Sequence, residues 1–439
     1  MFIDIVLYCA GSIDRISLEQ ACTEVSNMHG VEVRKQSLDE RFHQGAVEFI
    51  KSILSDILRS QLMAEIAPEF LNDFNQVRIT DSTKFNVPPS LKDFFKGFNG
   101  NDKRAAGVSI QYEFDIKNAK VLNLDLFGAT KSDSNYAGEI SGDIQPKDLV
   151  IRDLGYYSTN NLLKIVSKEA YFITRLNAKA DVYMEGQTGK LEKVCFKKLY
   201  EQMSLCKQTD IEIPVYIGKN KKLPVRLIIQ LMPEEVYTKR KVKLEKYNKA
   251  NGHQTSCEIK DRLRFNLFVT NIEPDKMEAH EVSIIYKLRW QVELVFKCWK
   301  SHLQIHNIQK MKYERFATIL YGKLLMIIIN NEIVQNIRCK LYRTEQRLLS
   351  TAKCAKTMRK NFFTRKIAAN PEKLTGYVLK IEKLLSLNHW QEKRKKRVGM
   401  LEIMELFNRI PNNYTIFEEK RACPKTLPLN INKICSLVS

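Results

Sequence analysis

Apolar and polar positions divide the chain into stretches of different period. Residues 17–70 carry a helical pattern. Ser37-Leu-Asp-Glu40 has the form of a capping box opening a helix to about Gln61. Phe42, Ala46, Phe49, Ile50, Ile53 and Leu54 give that helix an apolar face. The period then falls to two. Val77 and Ile79 alternate with polar residues and lead to Asp81 at the strand's end. Val108, Ile110, Tyr112, Phe114 and Ile116 alternate strictly, which predicts a half-buried strand. Residues 117–120 turn into a second strand at 121–127, completing an antiparallel hairpin. Leu149, Val150 and Ile151 form an apolar run ending at Asp153, the pattern of a strand buried on both faces. A helix follows near 160–168.

Residues of about 170–275 change character. Strand-like runs at 211–217 and 225–232 flank a basic turn at 219–222, and a second basic run, 239–249, precedes a strand at 263–270. This predicts a β-rich insertion. A helix at 278–303 follows, and the remainder is mostly helical, with the basic run 393–397 between two helices. The longest apolar stretch, 316–329, contains Lys323, is too short to span a bilayer, and reads as a buried helix.

The helix at 278–303 carries the first candidate chemistry. Tyr286, Arg289, Glu293 and Lys300 are offset by 3, 7 and 14 residues. On one continuous helix they fall within roughly 60° of each other. Ile285, Leu288, Val292, Val295, Phe296, Trp299 and Leu303 centre on a face about 110° away. One side packs; the other presents a carboxylate between two cations and a phenol. A carboxylate holds divalent metals and the cations hold phosphate oxygens. The alternative is an ordinary solvated face.

Charge narrows the partner. The 439 residues carry a formal net charge of +21, of which +17 falls in residues 301–439. That asymmetry fits a polyanion, nucleic acid first, and no basic amphipathic anchor suggests a membrane. The ten cysteines are scattered without a C-x2-C pair, which argues against structural zinc and against a disulfide framework, and for a reducing, cytoplasmic setting. There is no G-x-x-x-x-G-K loop, which excludes a P-loop motor.

Asp81 and Asp153 both fall where strand patterns end, a usual place for a site on an α/β sheet. Each has a bland reading: Asp81-Ser-Thr as a helix N-cap, Asp153-Leu-Gly as a turn. With Glu293 they make three carboxylates, enough for a pair of divalent metals that keep waters and take phosphate oxygens as further ligands.

Together, Asp81-Ser82-Thr83, Asp153-Leu-Gly-Tyr156-Tyr-Ser158 and Tyr286/Arg289/Glu293/Lys300 resemble the DDE transposases of bacterial insertion sequences, specifically the insertion-sequence-four group with its Y-x2-R-x3-E-x6-K signature. The resemblance covers residues of about 35–400. It implies an α/β, RNase H-like catalytic core (71–172 and 276–330) interrupted by the β-rich insertion (173–275). It further implies a helical N-terminal end-binding region (1–70) and a basic helical C-terminal region for DNA binding and dimerisation (331–439). Asp81, Asp153 and Glu293 would be the catalytic, metal-binding triad for two Mg²⁺, with Mn²⁺ able to substitute. Tyr286, Arg289 and Lys300 would contact DNA phosphates. The implied activity is cut-and-paste transposition: hydrolysis at the element's ends, in many members through a hairpin, then strand transfer. The implied partners are double-stranded DNA (terminal inverted repeats and target) and a second subunit in a homodimer.

One departure stands out. Relatives that make hairpins flip a base onto a Trp in the insertion, whereas the tryptophans here are Trp290, Trp299 and Trp390. Tyr183, Phe196, Tyr200, Tyr216, Tyr237 or Tyr247 could stack a base instead; Trp290 and Trp299 read as helix packing. Two other functions share these features: an RNase H-like nuclease that never joins strands, and a non-catalytic DNA-binding protein derived from a transposase.

Overall fold

The computed structural model describes residues 1–11, 16–60, 71, 73–98, 105–187, 189–220, 222–301, 304–345, 347–361 and 371–392. The basic run 393–397, Leu303, Cys423 and Cys435 lie outside the described residues. Four helices come first, α1 (Phe2–Gly11), α2 (Leu18–His29), α3 (Lys35–Glu40) and α4 (Gln44–Ser60), then strands β1 (Val77–Val87), β2 (Ala106–Asp115) and β3 (Lys120–Gly128). Next are α5 (Asp133–Glu139), β4 (Leu149–Arg152), α6 (Thr159–Val166), β5 (Tyr171–Arg175), β6 (Val182–Glu185), β7 (Leu191–Lys193) and α7 (Phe196–Leu205). After them run β8 (Asp210–Ile217), β9 (Leu223–Leu231), α8 (Glu234–Asn251), α9 (Cys257–Arg262) and β10 (Phe265–Thr270). The described chain closes with α10 (Ala279–Tyr286), α11 (Trp290–Ser301), α12 (Tyr313–Glu345), α13 (Thr351–Lys360) and α14 (Pro371–Asn388). These elements form two compact units of a mixed α/β fold. The first takes 1–71, 76–131 and 289–392, the second 73–75 and 132–288, among the described residues.

In the first unit the N-terminal capping box lies elsewhere than expected. Ser17 and Gln20 cap α2 reciprocally, and Gly30, at φ 65°, ends it in the left-handed region. Ser37 instead sits inside the six-residue α3, which has no side-chain cap, and the chain breaks before α4 begins at Gln44. Leu38 and Phe42, on either side of that break, are both buried in one apolar cluster with Ile5, Ala21 and Val25. Helix α12 is long and apolar enough, by length and composition, to cross a membrane, but it is a core helix of this unit packed on α1 and α4. Gly322 permits that packing: a Cβ there falls 2.4 Å from Val6 Cγ1.

Strands β1, β2 and β3 form an antiparallel meander with β2 in the middle. Strict alternation in β2 predicts one wet face, yet Ser109, Gln111 and Glu113 are fully buried. Hydrogen bonds make this tolerable. Arg78 Nη2 donates to Glu113 Oε2 at 2.7 Å, Thr80 Oγ1 to Oε1 at 3.0 Å, and Asn123 Nδ2 to Oε2 at 2.7 Å.

In the second unit β4 pairs parallel with β5, and the order continues β5-β10-β9-β8-β6-β7 through antiparallel ladders. Every residue of β4 is buried, as its apolar run predicts. The stretch read as a β-rich insertion is mixed: it holds β6 to β10, but also α7, α8 and α9. Its strands hydrogen-bond onto β5 through β10, so here they lengthen one sheet rather than form a separate one. The eight described cysteines are all free thiols.

Candidate active site

Asp81 does not end a strand. It lies inside β1 directly opposite Tyr112 of β2, which puts both side chains on one face of the meander. Helix α11 covers that face, with the Tyr112 ring edge-on to Trp299 at 5.2 Å and to Phe296 at 5.9 Å. The N-cap reading of Asp81-Ser-Thr is therefore excluded. The Asp81 carboxylate accepts from the Ser82 N–H at 2.8 Å and its side chain is only 16% exposed.

The expected single helix over 278–303 is broken. Tyr286 closes α10, residues 287–289 form a 3-10 turn, and α11 starts anew at Trp290. Glu293 then falls in the first turn of α11 and Lys300 in its last, where their charges suit the helix ends. Arg289 bridges strand and helix: Nη1 donates to Asp81 Oδ2 at 3.0 Å and Nη2 to Glu293 Oε1 at 2.5 Å. Residues 212 positions apart, Asp81 and Glu293, thus share one guanidinium. Lys300 Nζ donates to the Lys84 carbonyl at 3.1 Å, and burial holds its pKa below the ordinary lysine value. Lys84 holds Lys300 through a backbone atom, so no side-chain pattern could have pointed to it.

Asp153 and Tyr286 belong to the second unit. Asp153 follows β4 immediately and opens a 3-10 turn at Leu154–Tyr156, so the strand-end and turn readings are both correct. Tyr286 Oη donates to Asp153 Oδ1 at 3.5 Å, while its ring packs edge-on against Phe268 at 5.3 Å. The first unit thus brings together Asp81, Arg289 and Glu293, and the second pairs Asp153 with Tyr286.

Of the aromatic residues proposed for stacking, Phe196 is excluded by burial. Tyr183 already carries the Lys222 ammonium 3.1 Å from its ring centre, and Tyr200 and Tyr237 face the Arg264 guanidinium. Tyr247 is open, at 56% exposure. Trp299 is buried, as its packing reading expects, and Trp290 is 38% exposed.

The donor chemistry around Asp81 and Glu293 suits a hard divalent cation, because all the donors are carboxylate oxygens. The pair already converges on a positive group, the Arg289 guanidinium. No set of three His, Cys, Asp or Glu side chains is gathered for a metal among the described residues.

Residues 72–329 match the family model described as "Transposase DDE domain". The chain is 30% identical over 405 residues to the transposase for insertion sequence element IS231B of Bacillus thuringiensis subsp. berliner, covering 88% of this chain and 84% of that one. It is 29% identical over 420 residues to the IS231E transposase of Bacillus thuringiensis subsp. finitimus, covering 91% and 87%. To the IS1151 transposase of Clostridium perfringens it is 28% identical over 349 residues, covering 76% and 74%. Among solved structures, the piggyBac transposase synaptic complex with hairpin DNA aligns with 87% of this chain and 75% of that one, at TM-score 0.42 and 9% identity, too distant to carry an argument.

Proposed function

The chain belongs to the DDE transposases and is a DNA transposase of the bacterial insertion-sequence kind; from that premise we propose that it moves its own element by cut-and-paste, with Asp81, Asp153 and Glu293 as the catalytic carboxylates. Divalent-metal dependence goes with the family. Our reading is specific: two Mg²⁺ per active site, replaceable by Mn²⁺, held by those three side chains. Bound there, the metal supplies activation of the attacking water or 3′-hydroxyl and stabilisation of the leaving oxygen. The core is RNase H-like, with the mixed stretch 173–275 as its insertion. The second subunit of a homodimer completes the complex on paired DNA ends.

The observation that carries this reading is the Asp81–Arg289–Glu293 bridge. It joins two of the three signature carboxylates with the signature arginine in one unit. Arg289 keeps two like charges together that would otherwise repel. In the same reading its fork is also the donor for a DNA phosphate, so it gives up at least one carboxylate when phosphate arrives. Lys300, already partly stripped of water, offers a second positive group for phosphate. The Tyr286 hydroxyl orients Asp153.

The test uses the purified chain, duplexes bearing its element's ends, and Mn²⁺. Cleavage at the ends followed by joining of the 3′ ends to a target supports the proposal. No cleavage, with Glu293→Gln indistinguishable from wild type, ends it. Nicking without joining would leave a nuclease.

A further inference from the structure

Helix α8 is an 18-residue helix in which no residue is buried. Such a helix gains little from packing, which is where most helical stability in proteins comes from. It is held to the second unit mainly near its start. Arg240 Nη1 donates to the carbonyls of Leu263 (3.1 Å) and Phe265 (2.9 Å), and Nη2 to Asn266 Oδ1 (2.6 Å). Tyr237 lies against the Arg264 guanidinium, which also donates to Glu234 at 3.2 Å. Beside and beyond that anchor come Lys239, Lys241, Lys243, Lys246 and Lys249, all exposed. Among the described residues none of these five has a carboxylate at ion-pair distance or an oxygen at hydrogen-bond distance.

The pattern of those charges selects the partner. Lys239, Lys243 and Lys246 fall within about 60° of one another around the helix and span about 10.5 Å of its axis, the length of roughly three phosphates on one DNA strand. Val236 and Leu244 lie half-buried on the side that carries Arg240, and Val242 faces solvent on the other side, so α8 exposes no apolar stripe of the kind an anionic membrane or a peptide-binding groove requires. What remains is an array of free ammonium groups suited to a regular line of phosphates.

We infer that α8 is a backbone-tracking arm that lays its lysine stripe along the phosphates of duplex DNA without reading sequence. The inference rests on the reading of the chain as an enzyme that works on DNA, and adds a contact surface remote in sequence from Tyr286, Arg289 and Lys300.

The test is salt-dependent binding of the full chain to an element-end duplex and to an unrelated duplex, by fluorescence anisotropy. Lys239→Gln/Lys243→Gln/Lys246→Gln should flatten the plot of log affinity against log salt by about 0.9 per contact, so by two to three in total, equally on both duplexes. Lys197→Gln, an exposed lysine of α7, serves as control and should change nothing. Unchanged thermal unfolding of the triple variant certifies the fold. An unaltered slope in the triple variant overturns the inference while wild-type binding leaves the DNA reading intact. A slope changed as much by the control overturns it as well. So does binding to phosphatidylserine vesicles that the triple variant loses while its DNA slope stays the same. Failure of the wild type to bind either duplex is the separate result that sinks the DNA reading itself.

Discussion

Arg289 and Glu293 meet at 2.5 Å across the point where a 3-10 turn becomes helix α11. The same guanidinium reaches Asp81 at 3.0 Å, so one side chain sets the spacing of two carboxylates. Replacing it by Arg289→Gln leaves those carboxylates facing each other without a cation. The expected loss is about 1–2 kcal/mol, at the low end for charged hydrogen bonds because both carboxylates keep some water. Added Mn²⁺ should restore more of the melting temperature to the variant than it adds to wild type. Equal Mn²⁺ effects on both would separate Arg289 from the metal-binding carboxylates.

Asp81→Asn, Asp153→Asn and Glu293→Gln should each abolish end cleavage while leaving end binding within about threefold, measured by gel shift beside a cleavage assay. Any of the three that still cuts is removed from the proposed triad.

Tyr286→Phe keeps the ring on Phe268 and removes the hydroxyl that donates to Asp153 at 3.5 Å. Its stability cost should stay below about 1 kcal/mol, while cleavage falls. A variant with wild-type cleavage would make the hydroxyl an incidental neighbour of Asp153.

Glu113→Ala removes the acceptor shared by Arg78, Thr80 and Asn123 and takes the paired carboxylate from a buried guanidinium. Urea unfolding should show a loss of about 3–5 kcal/mol. Gly322→Ala forces α12 away from Val6 and should cost about 1–3 kcal/mol. A neutral outcome in either case would contradict the packing described for the first unit.

The lowered pKa of Lys300 fixes the sign of a pH effect. Between that value and the unfolded lysine value of 10.5, the unfolded chain binds more protons than the folded one. Stability therefore gains from this group as pH rises through that window, and below it the full burial penalty applies. Lys300→Met should remove the gain, seen as a smaller difference in denaturation midpoint between pH 8 and pH 10 than wild type gives. An identical difference would mean that Lys300 titrates as an exposed lysine.

The hairpin and the doubly buried β4 were legible because strand period and apolar runs report burial directly. The polar face of β2 was not, since Ser109, Gln111 and Glu113 look solvated until Arg78 and Asn123 arrive from neighbouring strands. Spacing picks out Tyr286, Arg289, Glu293 and Lys300, and the resemblance gives them their expected roles, but spacing does not show that the helix carrying them breaks at 287–289. A 3-10 turn needs no glycine or proline to mark it, and Lys287-Leu-Arg289 has neither. Asp81 was placed at a strand end because alternation stops there, while hydrogen bonding carries β1 on to Val87.

Helix α8 also has a practical consequence. Trypsin cuts after lysine and arginine wherever the backbone can open, and opening costs least where nothing is buried. Among the described residues, limited digestion should cut readily within 239–249, leaving two fragments that stay associated through the ladder of β9 with β10 on either side of the cut. Bound duplex, lying over those lysines, should slow that cleavage, which makes a protease footprint a direct readout of where DNA rests.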